Sequence, residues 1–189
     1  MTISLEPPAV VAQLLDEASR LGFSQSCDPR TGALLRLLAA SKPGGRFLNL
    51  GTGVGVSSAW LLDGMNANAE LWTVDIDAER SRVAKTHLDE RLRIVVEDAA
   101  TFMQGALAAD KRFDLIFADA IPGKYKNLDL ALNLVAPAGF YVVDDMPPKD
   151  EWPGALILMD HIAADPRFTT LKLDWATGHF LAVRSLDLT

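Results

Sequence analysis

"FLNLGTGVGVSSAW", residues 47–60, runs a β-like segment straight into three alternate glycines and then into a helix-forming stretch. Phe47, Leu48 and Leu50 suit a buried strand. Gly51, Gly53 and Gly55 allow the backbone to turn tightly and come close to a ligand, and the helix beyond them opens with unpaired N–H groups. The spacing is G-x-G-x-G, with Val56 where the dinucleotide pattern G-x-G-x-x-G would end. Such a trio can be no more than a tight turn, so the next strand carries the weight. "LWTVDID" (71–77) places Asp75 24 residues beyond Gly51, where an acid can accept hydrogen bonds from both hydroxyls of a ribose. The competing role, a solvated acid capping the following helix, suits Asp77 before "AERSR" better. Loop and acid together imply a nucleoside-bearing cofactor.

Outward from this unit, β-like runs recur: 46–50, 71–76, 92–97, 113–119, 139–145, 168–173 and 178–184. Amphipathic stretches such as "VSSAWLLDGM", "AERSRVAKTHLDERL" and "YKNLDLALNLVA" separate the first five, which predicts parallel strands joined by crossover helices. Only "DWATG" separates the last two, too short for a crossover, so they should form an antiparallel hairpin. The expected fold is α/β: a Rossmann-like, doubly wound, seven-stranded sheet, mostly parallel with an antiparallel last strand. Two helices, about 7–21 and 30–41, should precede the 46–184 core, the second starting at Asp28-Pro29. No repeat or long linker divides the chain, so residues 1–189 read as one domain.

Composition narrows the partners. Apolar residues make up 49% and charged residues 23% of 189, an ordinary globular balance. The formal charge is −7 with no run of basic residues, which argues against a nucleic-acid partner and for a small molecule. Nowhere do 18 apolar residues run together and no signal peptide is evident, so no membrane association and a cytoplasmic location are expected. Cys27, the single cysteine, excludes an internal disulfide and reads better as buried or tolerated than as a catalytic thiol. His87, His161 and His179 show no metal-ligand spacing.

"GFYVVDDMPP" (139–148) ends an apolar run on two aspartates. Along a strand Asp144 and Asp145 should face opposite ways unless the strand has already ended. Acids beside such a run are solvated, paired or bound to a cation. Met146, Pro147, Pro148 and Trp152 follow and could wall a substrate pocket.

With these residues in hand, the chain resembles the class I S-adenosylmethionine-dependent O-methyltransferases, specifically the catechol and caffeoyl-CoA O-methyltransferase family and its small bacterial relatives. The similarity runs from about Pro29 to Arg184. "TGALLRLLAASKPGGRFLNLGTGVGVSS" is similar to the family's helix, strand and glycine loop with its serine, Ser57. "VDID" resembles its ribose segment and "VVEDAATF" its adenine segment, with Asp98 and Ala99 matching and Glu97 in place of a glycine. "FDLIFADA", "PAGFYVVDDM" and "TGHFLAVR" resemble its fourth, fifth and last strands. The reversed final strand also fits methyltransferases better than dehydrogenase domains.

The resemblance implies S-adenosylmethionine bound by Asn49, Gly51, Gly53, Gly55, Ser57, Asp75, Asp98, Ala99 and Asp119. Asn49 stands where the family usually has an acid. It also implies Mg²⁺ or another divalent cation held by Asp119, Asp144 and Asp145, with Asp145 replacing an asparagine. Such a cation would polarise the hydroxyl of a small, catechol-like acceptor. The three carboxylates can instead be solvated, with Asp119 bonding backbone N–H groups beyond its strand. The family's lysine general base falls on Pro122; Lys124, two residues on, is the substitute expected to act with Asp119 in catalysis. A homodimer is expected on the same ground. The rival readings are a cofactor-binding protein without catalysis and a nicotinamide-dependent oxidoreductase.

Overall fold

The computed structural model describes residues 5–146 and 153–186. Its elements alternate as expected: α1 (Val10–Arg20), α2 (Pro29–Ala40), β1 (Arg46–Leu50), α3 (Val56–Gly64), β2 (Glu70–Asp75), α4 (Ala78–His87) and β3 (Leu92–Val96). Then come α5 (Ala99–Ala108), β4 (Phe113–Ala118), the single turn α6 (Ile121–Lys124), α7 (Leu128–Leu134) and β5 (Val135–Val143). Finally, α8 (Pro153–Ala164) leads to the hairpin β6 (Phe168–Leu173) and β7 (His179–Arg184).

The strand order is β3-β2-β1-β4-β5-β7-β6. Pairing is parallel from β3 to β5, and β7 runs antiparallel to both β5 and β6. The chain direction therefore reverses only at β7. Winding switches sides between β1 and β4, and a ligand crevice opens outside the carboxyl ends of the strands at such a point. Buried apolar side chains coat both sheet faces, Leu48, Ile116 and Tyr141 on one and Phe47, Leu115 and Val142 on the other. This is the continuous hydrophobicity a doubly covered sheet demands. Asp28 caps α2 by accepting from the Arg30 amide at 2.8 Å, with Pro29 at the first helical position.

Most strand bounds fall within a residue of expectation, and the largest difference is at the fifth strand. The fifth strand begins at Val135 rather than 139, and α7 ends at Leu134 rather than running on through Ala136. Pro137 disfavours helical backbone at the residue before it. Ala138 then takes a left-handed φ of 58°, and the register shifts between Phe113 and Leu115. The strand also ends earlier, at Val143, so Asp144 and Asp145 lie beyond the sheet, freed from strand alternation. Among the described residues no helix is long and apolar enough to cross a membrane.

Candidate functional site

A cavity of about 1150 Å³ opens at the carboxyl ends of the parallel strands. Of the residues singled out from sequence, Gly51, Gly53, Ser57, Asp75, Asp119, Lys124, Asp144 and Asp145 line it. Their convergence follows from the topology, because each stands at or just past the end of β1, β2, β4 or β5, or on the turn or first helical turn that follows.

The glycine loop is shaped by what surrounds it. Gly51 adopts φ 103°, and a Cβ there would meet the Asp119 carbonyl at 3.1 Å. Gly55, at φ 101°, does not face the cavity; a Cβ on it would strike Ala84 of α4 at 2.8 Å. It permits helix packing rather than ligand contact. Asp75 holds the loop in place, accepting from the Gly53 amide at 2.9 Å and the Asp77 amide at 3.0 Å. Each carboxylate oxygen keeps a further lone pair for a ligand.

Three other expected cofactor contacts lie outside the cavity lining. Asn49 is fully buried, and its amide bonds the hydroxyls of Ser57 and Ser58 at 3.0 Å each, tying β1 to the start of α3. Asp98 caps α5 through the Ala100 and Thr101 amides, both at 3.0 Å. Ala99 is buried beneath it. Pro147, Pro148 and Trp152 lie outside the described residues.

Lys124, also on the cavity lining, is only 5% exposed. Its ammonium lies 3.5 Å from an Asp145 oxygen and 4.0 Å from an Asp119 oxygen. The turn carrying it is not regular helix: Pro122 is extended and Gly123 takes φ 87°. Position 123 favours glycine on two counts: φ 87° is left-handed, and a Cβ there would press to 2.4 Å from a methyl of the buried Leu50. The fully buried Tyr141 hydroxyl donates to the Gly123 carbonyl, and the Gly123 amide donates to the Lys126 carbonyl at 2.6 Å. This backbone swings Lys124 into the site although the family's lysine position, 122, is proline. Tyr141→Phe should therefore lower stability by about 1–3 kcal/mol, the cost of an unpaired buried carbonyl. Thermal unfolding should show a fall of roughly 2–12 °C for a chain of this size.

Asp144 is 3% exposed, and one of its oxygens accepts from Thr177 and from the Asp145 amide at 2.8 Å, with His179 Nε2 3.3 Å away. Burial pushes its carboxyl up, but these bonds outweigh burial and hold it below the ordinary carboxylate range. Behind it the fully buried His179 also bonds the Thr31 hydroxyl at 2.8 Å. The hairpin loop reaches Asp144 because Met146 N donates to the Gly178 carbonyl at 2.9 Å and Gly178 packs on the Met146 backbone. Asp145 sits at φ 54°, a left-handed conformation that aspartate and asparagine tolerate best. Asp119 goes the other way: burial and then the Asp144 carboxylate push it up to about 7, while Lys124 pulls it down.

Sequence reasoning missed one wall of the cavity, Phe23 and Gln25 to Asp28 in the α1–α2 connection with Arg80 of α4. The Arg80 guanidinium stacks on Phe23 at 4.8 Å, and Phe23 lies against Gly53. It also missed the clamp of Thr31, Thr177 and His179. No local pattern marks either group. Cys27 lines the cavity, and burial followed by the nearby aspartates pushes its thiol up, which suits a tolerated cysteine rather than a nucleophile.

A family profile described as a methyltransferase domain matches residues 48–146. A Mycolicibacterium vanbaalenii protein named "Putative O-methyltransferase" is 30% identical over 198 residues, covering 96% of this chain and 86% of that one. The chain belongs to the class I S-adenosylmethionine-dependent O-methyltransferases. A Mycolicibacterium smegmatis relative matches this methyltransferase more briefly: 35% identity over 125 residues, 63% of this chain and 58% of the relative's length. Two crystal structures share the fold. The Bacillus cereus O-methyltransferase in complex with S-adenosylhomocysteine has a TM-score of 0.84 at 21% identity, covering 97% and 94% of the chains. TomG of Streptomyces achromogenes, in complex with S-adenosylmethionine, gives 0.82 at 21% identity, covering 95% and 91%. The nicotinamide reading falls with this assignment.

Asp119, Asp144 and Asp145 share the cavity, yet among the described residues no three His, Cys, Asp or Glu side chains are grouped to hold an ion. An ammonium stands beside two of the carboxylates and hydrogen bonds occupy an oxygen of the third. As arranged, these residues do not fit a divalent cation.

Proposed function

We propose that this methyltransferase transfers a methyl group to a hydroxyl of a small molecule, with a catechol-like phenol the acceptor class to test first. One observation carries the reading. The glycine loop with Asp75 and the Asp119–Lys124–Asp145 cluster line one continuous cavity, larger than the ~300–1,000 Å³ of a typical single-ligand pocket. It has room for cofactor and acceptor side by side.

S-adenosylmethionine, when bound, supplies an electrophilic methyl on a sulfonium and leaves as the neutral thioether. The protein's part is to hold the acceptor oxygen in line with that methyl and to manage its proton. Positioning of this kind is worth up to ~7–11 kcal/mol. A free phenol ionises near pKa ~10, so an adjacent cation and a proton acceptor are both needed near neutrality. In this reading Lys124 supplies the cation, and Asp119, held up to about 7, takes the proton as the carbon–oxygen bond forms. Asp75 and the Gly51–Gly53 backbone hold the nucleoside end.

The experiment is S-adenosylhomocysteine release from S-adenosylmethionine across a panel of catechols, simple phenols and aliphatic alcohols. Turnover confined to hydroxyl compounds supports the proposal. Tight cofactor binding without turnover on any of them would favour the non-catalytic reading.

A further inference from the structure

The position that the family resemblance gives to a divalent ion lies between carboxylates from the ends of β4 and β5. In this chain a lysine ammonium stands beside two of those carboxylates. Lys124 Nζ approaches Asp145 at 3.5 Å and Asp119 at 4.0 Å from a buried position. Pro122 and Gly123 bend the backbone toward the cavity, Tyr141 fixes the bend from beneath, and Gly123 has no room for a side chain. The lysine is thus held by a dedicated turn rather than reaching in from the surface. The third carboxylate, Asp144, is engaged by Thr177, His179 and the Asp145 amide.

We propose that the Lys124 ammonium is the resident cation of the acceptor site and stands in place of a divalent metal. An ammonium has three donors. Two can point toward Asp119 and Asp145, and the third remains for the oxygen of an acceptor. Mg²⁺ takes oxygen ligands at ~2.0–2.1 Å in near-octahedral geometry, and an ion bound by Asp119 and Asp145 would lie within a few ångströms of a fixed positive charge. Methyl transfer accordingly proceeds without added metal. The inference rests on reading this cavity as the acceptor site of the methyltransferase, but its test does not depend on turnover.

Mn²⁺ binding decides it. The full-length protein, metal-stripped and saturated with S-adenosylhomocysteine, is titrated with Mn²⁺ and the free ion read by electron paramagnetic resonance. The same titration is run on Lys124→Met, which keeps most of the side-chain bulk, and on Lys124→Ala. Thermal stabilisation by S-adenosylhomocysteine verifies that each variant is folded. Wild type should show no stoichiometric site at millimolar Mn²⁺. Removing one unit charge about 4 Å from a divalent ion should tighten Mn²⁺ binding roughly 30-fold or more in at least one variant. Stoichiometric binding to wild type would overturn the proposal. So would wild type and folded variants that all fail to bind, since the carboxylates would then not converge on a cation position. Absence of turnover on every acceptor would count against the proposed function and leave this result standing.

Discussion

Replacing Asp75 by alanine should weaken S-adenosylmethionine binding by roughly 100- to 1,000-fold while leaving the protein folded. Asp75 ends β2 at the cavity wall and already accepts from two backbone amides, Gly53 at 2.9 Å and Asp77 at 3.0 Å. Those bonds fix the carboxylate before a ligand arrives, so little side-chain entropy remains to be lost on binding. A ribose would add two hydroxyl donors. Hydrogen bonds to a charged group contribute about 1.5–3 kcal/mol each, and the weaker end of the two-bond sum, about 3–4 kcal/mol, sets the range. Asp75→Asn keeps one acceptor oxygen and should fall between wild type and alanine. Calorimetric titration with S-adenosylhomocysteine checks the ranking. The structural cost should be modest, about 1–2 kcal/mol for the freed Gly53 and Asp77 amides, or a few degrees in Tm. An alanine variant that binds within about fivefold of wild type would remove Asp75 from the cofactor site.

The largest stability loss is expected at Trp60. This side chain is 1% exposed and fills the junction of α1, α2 and α3 beside Val11, Leu14 and Ala18. Its ring lies so close to α2 that a Cβ on Gly32 would sit 2.4 Å from it, and the Arg36 guanidinium covers it at 4.9 Å. Trp60→Ala leaves a cavity between three helices that cannot all close onto it. The expected cost is about 3–5 kcal/mol, a large share of the ~5–15 kcal/mol that holds a typical domain folded. For a chain of this length that corresponds to a Tm fall on the order of 10 °C. Gly32→Val should destabilise from the opposite side, by overpacking. Urea unfolding of both variants gives the measurement, and losses under about 1 kcal/mol would mean that this junction does not hold the N-terminal helices to the core.

The same junction shows why some features were legible in the sequence. The strand–glycine–helix order at 47–60 and Asp28-Pro29 at the start of α2 are decided within a few residues by propensity, capping and turn chemistry. The five-residue link before β7 is equally local, and it settled that the last strand must reverse. The misplaced start of β5 shows the limit: "LVA" reads as helix continuing, and only the combination of Pro137, the left-handed Ala138 and pairing with β4 turns it into strand.

What the sequence by itself determined is the winding of the sheet and the end of it at which the cavity opens, because both follow from local periodicity and the fixed hand of crossovers. Which carboxylate touches what was decided only in three dimensions. Asp144 is gripped through His179, itself bonded to Thr31 148 residues earlier, a contact no spacing rule encodes. Lys124 enters the site because Gly123 can take a left-handed turn against Leu50 while Tyr141 holds its carbonyl. Local chemistry fixes the backbone's course, but the charge balance of a buried site is set by side chains that meet only after the chain has closed on itself.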